Sequence, residues 1–359
     1  MRIIIRLLFY TLAFSVLIYA GMFMLSIRQY PPAVIHVIDT ETGSDIYRGS
    51  GQQVVMEREL LRSAAPKIIF LGASNTQEGF RPDRIKVYFP LYEVHNLSIG
   101  ASDLTQTKQV IELVYEMVRE EDRPKVVFVL GLWYGALVEN SVRWTTPFTD
   151  FENEQLRYGL YVKESGDIRA AIPPKLFSFY IKFLYPYLAF DRALGVSKEF
   201  VKQFFEDSAR FLLKGQRQRS PPHLQDSKDI DSVIVDQADR KHAFKYWHEY
   251  MGREDDTIST EQLDVLLDIA QLVKENGSRF VIIDMPIPAW HAQQSAHFRD
   301  YQTKKKEYLF KAVSDYGASY FDMQKFDNDF DFYDSAHPKP RTTQEWSRVA
   351  AGKLKGFLE

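Results

Sequence analysis

Short apolar runs, rich in β-branched and aromatic residues, recur in two parts of the chain, and helical patterns follow several of them. Most of these runs end at a glycine or a proline, as is typical of buried strands in a parallel sheet. The predicted strands cover residues 67–71, 92–99, 125–130, 279–285 and 318–322. The predicted helices cover residues 104–120, 259–276 and 342–359; the last two begin with capping-box sequences, and Ser102 or Asp103 caps the first. This rhythm predicts an α/β fold with a flavodoxin-like parallel sheet.

The alternation of strands and helices is interrupted between residues 144 and 256. Residues 197–213 place several phenylalanines near one helical face, and residues 215–231 are polar and contain proline. We predict a helical insertion over residues 144–256. It divides one α/β domain into a first half, residues 66–143, and a second half, residues 257–359.

The amino-terminal region has the pattern of a membrane anchor. Residues 7–27 carry no charge, and a run of about 20 apolar residues suffices to cross a bilayer. A cleaved signal peptide is the alternative, although its apolar core is shorter, about 7–15 residues, and ends at a site of small residues. Arg2 and Arg6 precede the run, which predicts cytoplasmic residues 1–6, a stalk over residues 28–65 and a periplasmic domain on the inner membrane.

Composition excludes several kinds of chemistry. The 359 residues carry a net charge of −3, so the chain as a whole lacks the basic field that binds nucleic acid. Without cysteine it has no disulfide, no thiolate nucleophile and no cysteine zinc site. We predict no cofactor and no resident metal.

Ser74 is the candidate nucleophile. It lies in the sequence Gly-Ala-Ser-Asn, residues 72–75, directly after the first predicted strand. Ligands of parallel α/β sheets bind at the carboxyl ends of the strands, where the following helix directs its N–H groups. A Gly-x-Ser turn also ends many strands without any chemistry, so Ser74 needs a base from elsewhere in the chain.

That base is predicted in the sequence Phe-Tyr-Asp-Ser-Ala-His-Pro, residues 332–338, between the last strand and the last helix. In serine catalysis a histidine accepts the proton of the nucleophile and a carboxylate orients the imidazole. His337 would be the base and Asp334 its orienting partner. Asp239 and His242 have the same spacing, but their polar helical surroundings indicate a solvated helix face.

These motifs stand in the order of the conserved blocks of the SGNH (GDSL-like) hydrolase superfamily, which the chain resembles over most of residues 66–143 and 256–359. The four blocks are the sequence 72–74, Gly100, the sequence 131–133 and the Asp-x-x-His sequence. The resemblance implies a triad of Ser74, His337 and Asp334. It also implies an oxyanion hole formed by the N–H groups of Ser74 and Gly100 and by a side chain of the third block.

Two positions depart from the family pattern. The usual Gly-Asp-Ser is Gly-Ala-Ser here, at a position outside the triad. Trp133 occupies the place of the third-block asparagine, and its indole has a single N–H to donate. Asn75 is a candidate substitute for the missing donor.

An anchor followed by such a domain is similar to the DltD-like and alginate O-acetylation-like subgroup. The sequences 132–134 and 285–290 resemble blocks of that subgroup, which makes Trp133, Tyr134 and Trp290 candidate substrate contacts. The resemblance implies a glycan or acyl-ester substrate and a multi-span membrane acyltransferase as partner.

The sequence therefore favours a serine O-acyltransferase or esterase that acts on a cell-envelope or exopolysaccharide glycan. One alternative is a catalytically weak protein that binds glycan or scaffolds an acyltransferase. Another is a metal enzyme that uses His291, His297 and Asp284.

Overall fold

The computed structural model describes residues 2–29, 58–100, 102–137, 161–164, 167–170, 230–243 and 257–358. The chain divides into two units, one comprising Met1–Ile46 and Ile172–Ser227, the other Tyr47–Ala171 and Lys228–Glu359. In the first unit the described residues form one helix, α1 (Arg2–Gln29). Within the described residues, no helix combines the length and the apolar character needed to cross a bilayer. The anchor over residues 7–27 stays a prediction.

All the strands among the described residues belong to the second unit. They are β1 (Lys67–Gly72), β2 (Glu93–Asn96), β3 (Val126–Leu132), β4 (Tyr161–Glu164), β5 (Asp167–Ala170), β6 (Arg279–Asp284) and β7 (Ser319–Asp322). Its helices are α2 (Arg58–Leu61), α3 (Ser74–Gly79), α4 (Pro82–Lys86), α5 (Leu104–Met117), α6 (Thr260–Glu275), α7 (Ala289–Gln294), α8 (Ala296–Ser314) and α9 (Pro340–Leu358). Short 3-10 turns lie at Glu120–Lys125, Tyr134–Leu137, Ile230–Ser232 and Asp329–Asp331.

Five strands form one sheet in the order β2-β1-β3-β6-β7, and all neighbouring pairs are parallel. This is the flavodoxin-like order of a doubly wound sheet, so the prediction of an α/β fold with a parallel sheet is confirmed. The chain passes from β1 outward to β2 and then returns across β1 to β3. The crevice at the carboxyl ends of β1 and β3 is therefore the topological switch point, where ligands of such sheets bind.

The central strands are apolar because both of their faces are covered. Ile68, Ile69, Phe70 and Leu71 of β1 are at most 1% exposed, and all seven residues of β3 are buried. A continuous apolar run is what a strand between two helical layers requires. The predicted positions of the five strands are thus confirmed, with bounds that differ by a few residues at most.

The two predicted capping boxes differ from expectation. The Ser259 hydroxyl accepts the N–H of Gln262 at the start of α6, but the Gln262 side chain accepts the N–H of Leu104 at 2.8 Å and so connects α6 to α5. Helix α9 begins at Pro340, where a proline costs no hydrogen bond, and not at Thr342. The Thr342 hydroxyl donates to the carbonyl of Asp331.

The predicted stalk and insertion lie largely outside the described residues. Within residues 144–256, β4 and β5 form an antiparallel pair that the sequence analysis did not predict. Residues 237–243 of the same range are helical, which includes the Asp239 and His242 pair. Helices α7 and α8 were also not predicted.

The turn after β1 depends on two glycines that pair across β1 and β3. Gly72 has a φ of +142°, and a Cβ there would lie 2.7 Å from the carbonyl oxygen of Gly131. A Cβ on Gly131 would overlap Thr76, whose hydroxyl donates to the Gly131 carbonyl at 3.3 Å. The absence of both side chains allows the first turn of α3 to rest directly on the strand ends.

Candidate active site

Ser74 is the first residue of α3 and follows the end of β1 with one residue between. The N–H groups of Thr76 and Gln77 donate to the carbonyl of Ala73, so the chain turns sharply into the helix. The Ser74 side chain is only partly buried, in contrast to β1. The strand, the glycine turn and the helix together present the hydroxyl at the switch point of the sheet.

Asn96, the last residue of β2, holds the other end of α3. Its side-chain amide donates to the carbonyls of Thr76, Gln77 and Phe80 at 3.1, 3.2 and 2.7 Å. The carbonyls of Gln77 and Phe80 lie at the end of a helix of six residues, where backbone carbonyls need an external donor; that of Thr76 also accepts the N–H of Phe80. The sequence analysis missed this role because no pattern connects Asn96 with residues that precede it by about 20 positions.

The three predicted triad residues meet. The Ser74 Oγ lies 2.7 Å from Nε2 of His337, across 263 residues of sequence. Nδ1 of His337 lies 2.6 Å from Oδ2 of Asp334. The other carboxylate oxygen, Oδ1, accepts the backbone N–H groups of Ala336 and His337, each at 2.8 Å. In the neutral imidazole, Nδ1 therefore carries the proton and Nε2 is the acceptor that faces the serine hydroxyl.

The loop that carries the histidine is fixed at both ends. Phe332 and Pro338 form an antiparallel bridge, and the N–H of Tyr333 donates to the carbonyl of His337 at 3.1 Å. The Tyr333 ring stacks on the imidazole of His337, with centroids 5.6 Å apart. The Tyr333 hydroxyl donates to Oε2 of Glu78 at 2.5 Å, which brings an exposed carboxylate of α3 to the edge of the site.

The charges around the imidazole determine its protonation. Burial alone would lower the pKa of His337, but the carboxylates of Asp334 and Glu78 raise it to about 9. Burial alone would raise the pKa of Asp334, but His337 and the two backbone N–H donors hold it below its ordinary value. The resting site is thus an ion pair, and His337 becomes a base as the pH rises.

Replacing Glu78 with glutamine should shift the pH dependence of the site. The variant keeps the hydrogen-bonding capacity toward Tyr333 and removes one negative charge near His337, so the pKa of His337 falls. We expect the rate of ester hydrolysis, which rises with pH as the imidazole loses its proton, to reach half its plateau about half a pH unit to one pH unit lower. The measurement is kcat/KM for p-nitrophenyl acetate between pH 6 and pH 10.5, with roughly 0.5 unit between points.

Glu116→Gln is the matched control, because Glu116 is exposed on α5 and the substitution removes the same charge. Its pH profile should coincide with that of the unmodified chain. A Glu78→Gln profile unchanged in position would mean that Glu78 does not act on the imidazole.

Two of the predicted oxyanion candidates, Gly100 and Asn75, belong to segments next to Ser74. The N–H of Ile99 and the hydroxyl of Ser102 both donate to the carbonyl of Gly72, at 2.9 and 3.1 Å, so the loop carrying Gly100 lies beside the nucleophile turn. Asn75 is 1% exposed, and its amide nitrogen and oxygen have no hydrogen-bond partner among the described residues. A buried amide without a partner is unusual, so Asn75 keeps its place as the candidate third donor.

The three aromatic residues predicted to contact substrate are buried. Trp133 and Tyr134 follow β3, are each 3% exposed and pack against each other with centroids 5.2 Å apart. Trp290 is 4% exposed, with the guanidinium of Arg240 over its ring and the imidazole of His291 stacked against it. Their ring faces contact protein groups, and substrate binding by them stays a prediction.

The residues of the metal hypothesis do not converge. His291 contacts Tyr134 and the carbonyl of Ser335, whereas Asp284 lies 2.5 Å from the buried ammonium of Lys305. His297 lies on α8. In the part of the chain that the structure describes, no three histidine or carboxylate groups are arranged to hold a metal ion.

Comparison with family models and with curated proteins finds no match for this chain. What it does must be inferred from its own residues and their geometry.

Proposed function

We propose that this chain is a membrane-anchored, extracytoplasmic serine acyl-ester enzyme, an O-acyltransferase or esterase of SGNH-like type, that acts on a cell-envelope or exopolysaccharide glycan. The observation that supports it is the hydrogen-bonded series from Ser74 Oγ through His337 to Asp334, at 2.7 and 2.6 Å. The series also lies at the switch point, where ligands of parallel α/β sheets bind.

The reaction follows from the protonation of these groups. The Ser74 Oγ attacks the acyl carbon while its proton passes to Nε2 of His337. The tetrahedral oxyanion accepts hydrogen bonds from the N–H groups that we assign to it, those of Ser74 and Gly100, each worth about 3 kcal/mol of barrier. Collapse transfers the His337 proton to the leaving alcohol and leaves an acyl-serine. Water or a sugar hydroxyl then gives its proton to His337 and attacks the acyl group, and breaking the acyl–Oγ bond returns that proton from His337 to Ser74.

Membrane attachment rests on the uncharged residues 7–27 and on the arginines before them. A glycan substrate and a multi-span acyltransferase partner rest on the sequence resemblance. The acidic surroundings of His337 give no reason to expect nucleic acid. The competing role, a catalytically weak glycan-binding or scaffolding protein, needs no reactive serine, and reactivity therefore separates the two.

The test is serine-directed labelling of the full chain in fractionated cells. We expect a fluorophosphonate probe to modify the peptide that contains Ser74, in a membrane pellet that alkaline carbonate does not strip. With p-nitrophenyl acetate and an added sugar alcohol, p-nitrophenol release in excess of acetate release would identify the transferase. Absence of a Ser74 adduct at pH 9, where His337 is partly neutral, would exclude the enzyme. Labelled protein in the soluble fraction would exclude only the anchor.

A further inference from the structure

A buried imidazole outside the triad touches the loop that carries the triad histidine. His291 lies on α7, after β6, and is 1% exposed. Its Nδ1 lies 2.6 Å from the carbonyl oxygen of Ser335, between Asp334 and His337. Its Nε2 lies 2.5 Å from the hydroxyl of Tyr134, which follows β3.

These two contacts determine the tautomer of His291. A carbonyl oxygen only accepts hydrogen bonds, so Nδ1 carries the proton and donates it to Ser335. In the neutral ring Nε2 is then an acceptor, and the Tyr134 hydroxyl donates to it. Burial lowers the pKa of His291, which favours the neutral ring. Tyr134 therefore fixes which nitrogen of His291 faces the loop.

The peptide group between Ser335 and Ala336 is held at both of its polar ends. Its carbonyl oxygen accepts from His291, and its N–H donates to Oδ1 of Asp334 at 2.8 Å. A rotation of this one peptide plane would break both bonds together. It would remove a donor from the carboxylate that orients His337. Hydrogen bonds in series also polarise one another, which strengthens the N–H that Asp334 accepts.

We propose that His291, with its ring held in place by Tyr134, is a positioning residue of the active site that orients Asp334 through the Ser335–Ala336 peptide. The series runs from the Tyr134 hydroxyl through His291, the peptide and Asp334 to His337 and Ser74. It connects the loop after β3, the helix after β6 and the loop after β7. The proposal rests on the proposed function, because it assigns a role within that triad.

The test compares substitutions that keep and remove the donor. His291→Leu removes the donor to Ser335, whereas an amide N–H of His291→Asn is able to reach the same carbonyl. Tyr134→Phe removes the hydroxyl that holds the orientation of the His291 ring. We expect the rate of fluorophosphonate labelling to fall roughly tenfold to a hundredfold in His291→Leu, to fall less in Tyr134→Phe, and to stay within about threefold in His291→Asn. Tyr301→Phe is the control: its buried hydroxyl bonds Asp284 at 2.7 Å, and labelling should not change.

A second readout does not need turnover. The pKa of His337, obtained from its ring proton shift by NMR, should fall from about 9 toward its ordinary value in His291→Leu, because the Asp334 contact loosens. It should stay unchanged in His291→Asn and in Tyr301→Phe. A purely structural role would lower the thermal midpoint and leave this pKa unmoved.

The outcomes separate the two proposals. If the unmodified chain fails to label but the pKa of His337 falls in His291→Leu, the proposed function is wrong and the positioning role stands. If the unmodified chain is labelled, and His291→Leu shows the same labelling rate and the same His337 pKa, the positioning role is wrong. If His291→Leu does not fold, Tyr134→Phe becomes the test. A labelling rate and a His337 pKa that are both unchanged in Tyr134→Phe would then reject the positioning role. A loss in His291→Asn as large as in His291→Leu would also reject it, because ring packing and not the donor would then matter.

Discussion

Replacing Ser74 with alanine is expected to lower kcat for p-nitrophenyl acetate by about a millionfold and to abolish fluorophosphonate labelling. The substitution removes the hydroxyl that Nε2 of His337 approaches at 2.7 Å, and with it the atom that would carry the acyl group. The fold should persist, because Ser74 is only partly buried and the N-cap of α3 is Ala73. The measurement is initial velocity at pH 9, with circular dichroism of the same samples.

Ser63→Ala is a suitable control for this substitution. Ser63 also bears a partly buried hydroxyl, which donates to Glu93 at 2.8 Å, but it precedes β1 and has no contact with the triad. Its turnover should equal that of the unmodified chain. Full turnover in Ser74→Ala would remove Ser74 from the mechanism.

Replacing Asp334 with asparagine is expected to lower kcat by about ten-thousandfold. The amide oxygen of the asparagine is able to accept the same hydrogen bonds from the backbone N–H groups of Ala336 and His337. Its NH₂ group then faces Nδ1 of His337. The imidazole then accepts at Nδ1 and carries its proton on Nε2, which faces Ser74 and has no lone pair to offer. Loss of the carboxylate charge also lowers the pKa of His337, so the residual activity should reach its plateau at lower pH.

Asp239→Asn is the matched control, since Asp239 and His242 have the same spacing in sequence. Asp239 lies in the helical residues 237–243 and is exposed there. We expect no change in kcat or in pH dependence. An equal loss in the two variants would indicate a general effect of charge and not a triad.

The strands were predictable because local rules determine them, and the contact between Ser74 and His337 was predictable because each residue follows a predicted strand of one parallel sheet. A buried parallel strand needs an unbroken apolar run, and β3 has one over its whole length. The turn at Gly72 needs a residue without a side chain. The two Asp-x-x-His sequences differ in context, and only the one between the last strand and the last helix reaches Ser74.

The supporting contacts were not predictable, because they join segments that no local pattern relates. Asn96 is a strand residue in the sequence and a cap for α3 in the fold. Gln262 completes a capping box in the sequence but accepts from Leu104, which it meets only after α5 and α6 pack. His291 was considered as a metal ligand, whereas Tyr134 and Ser335 occupy its two nitrogens.

The long sequence separation between the serine and its base has a consequence for biosynthesis. A nascent chain that has not yet reached residue 337 contains the hydroxyl but nothing to activate it. Ser74 of such a chain would not react with esters, whichever strands of the sheet have already formed. Under the proposed function, the serine therefore becomes reactive only when the loop at residues 332–338 docks against the first turn of α3.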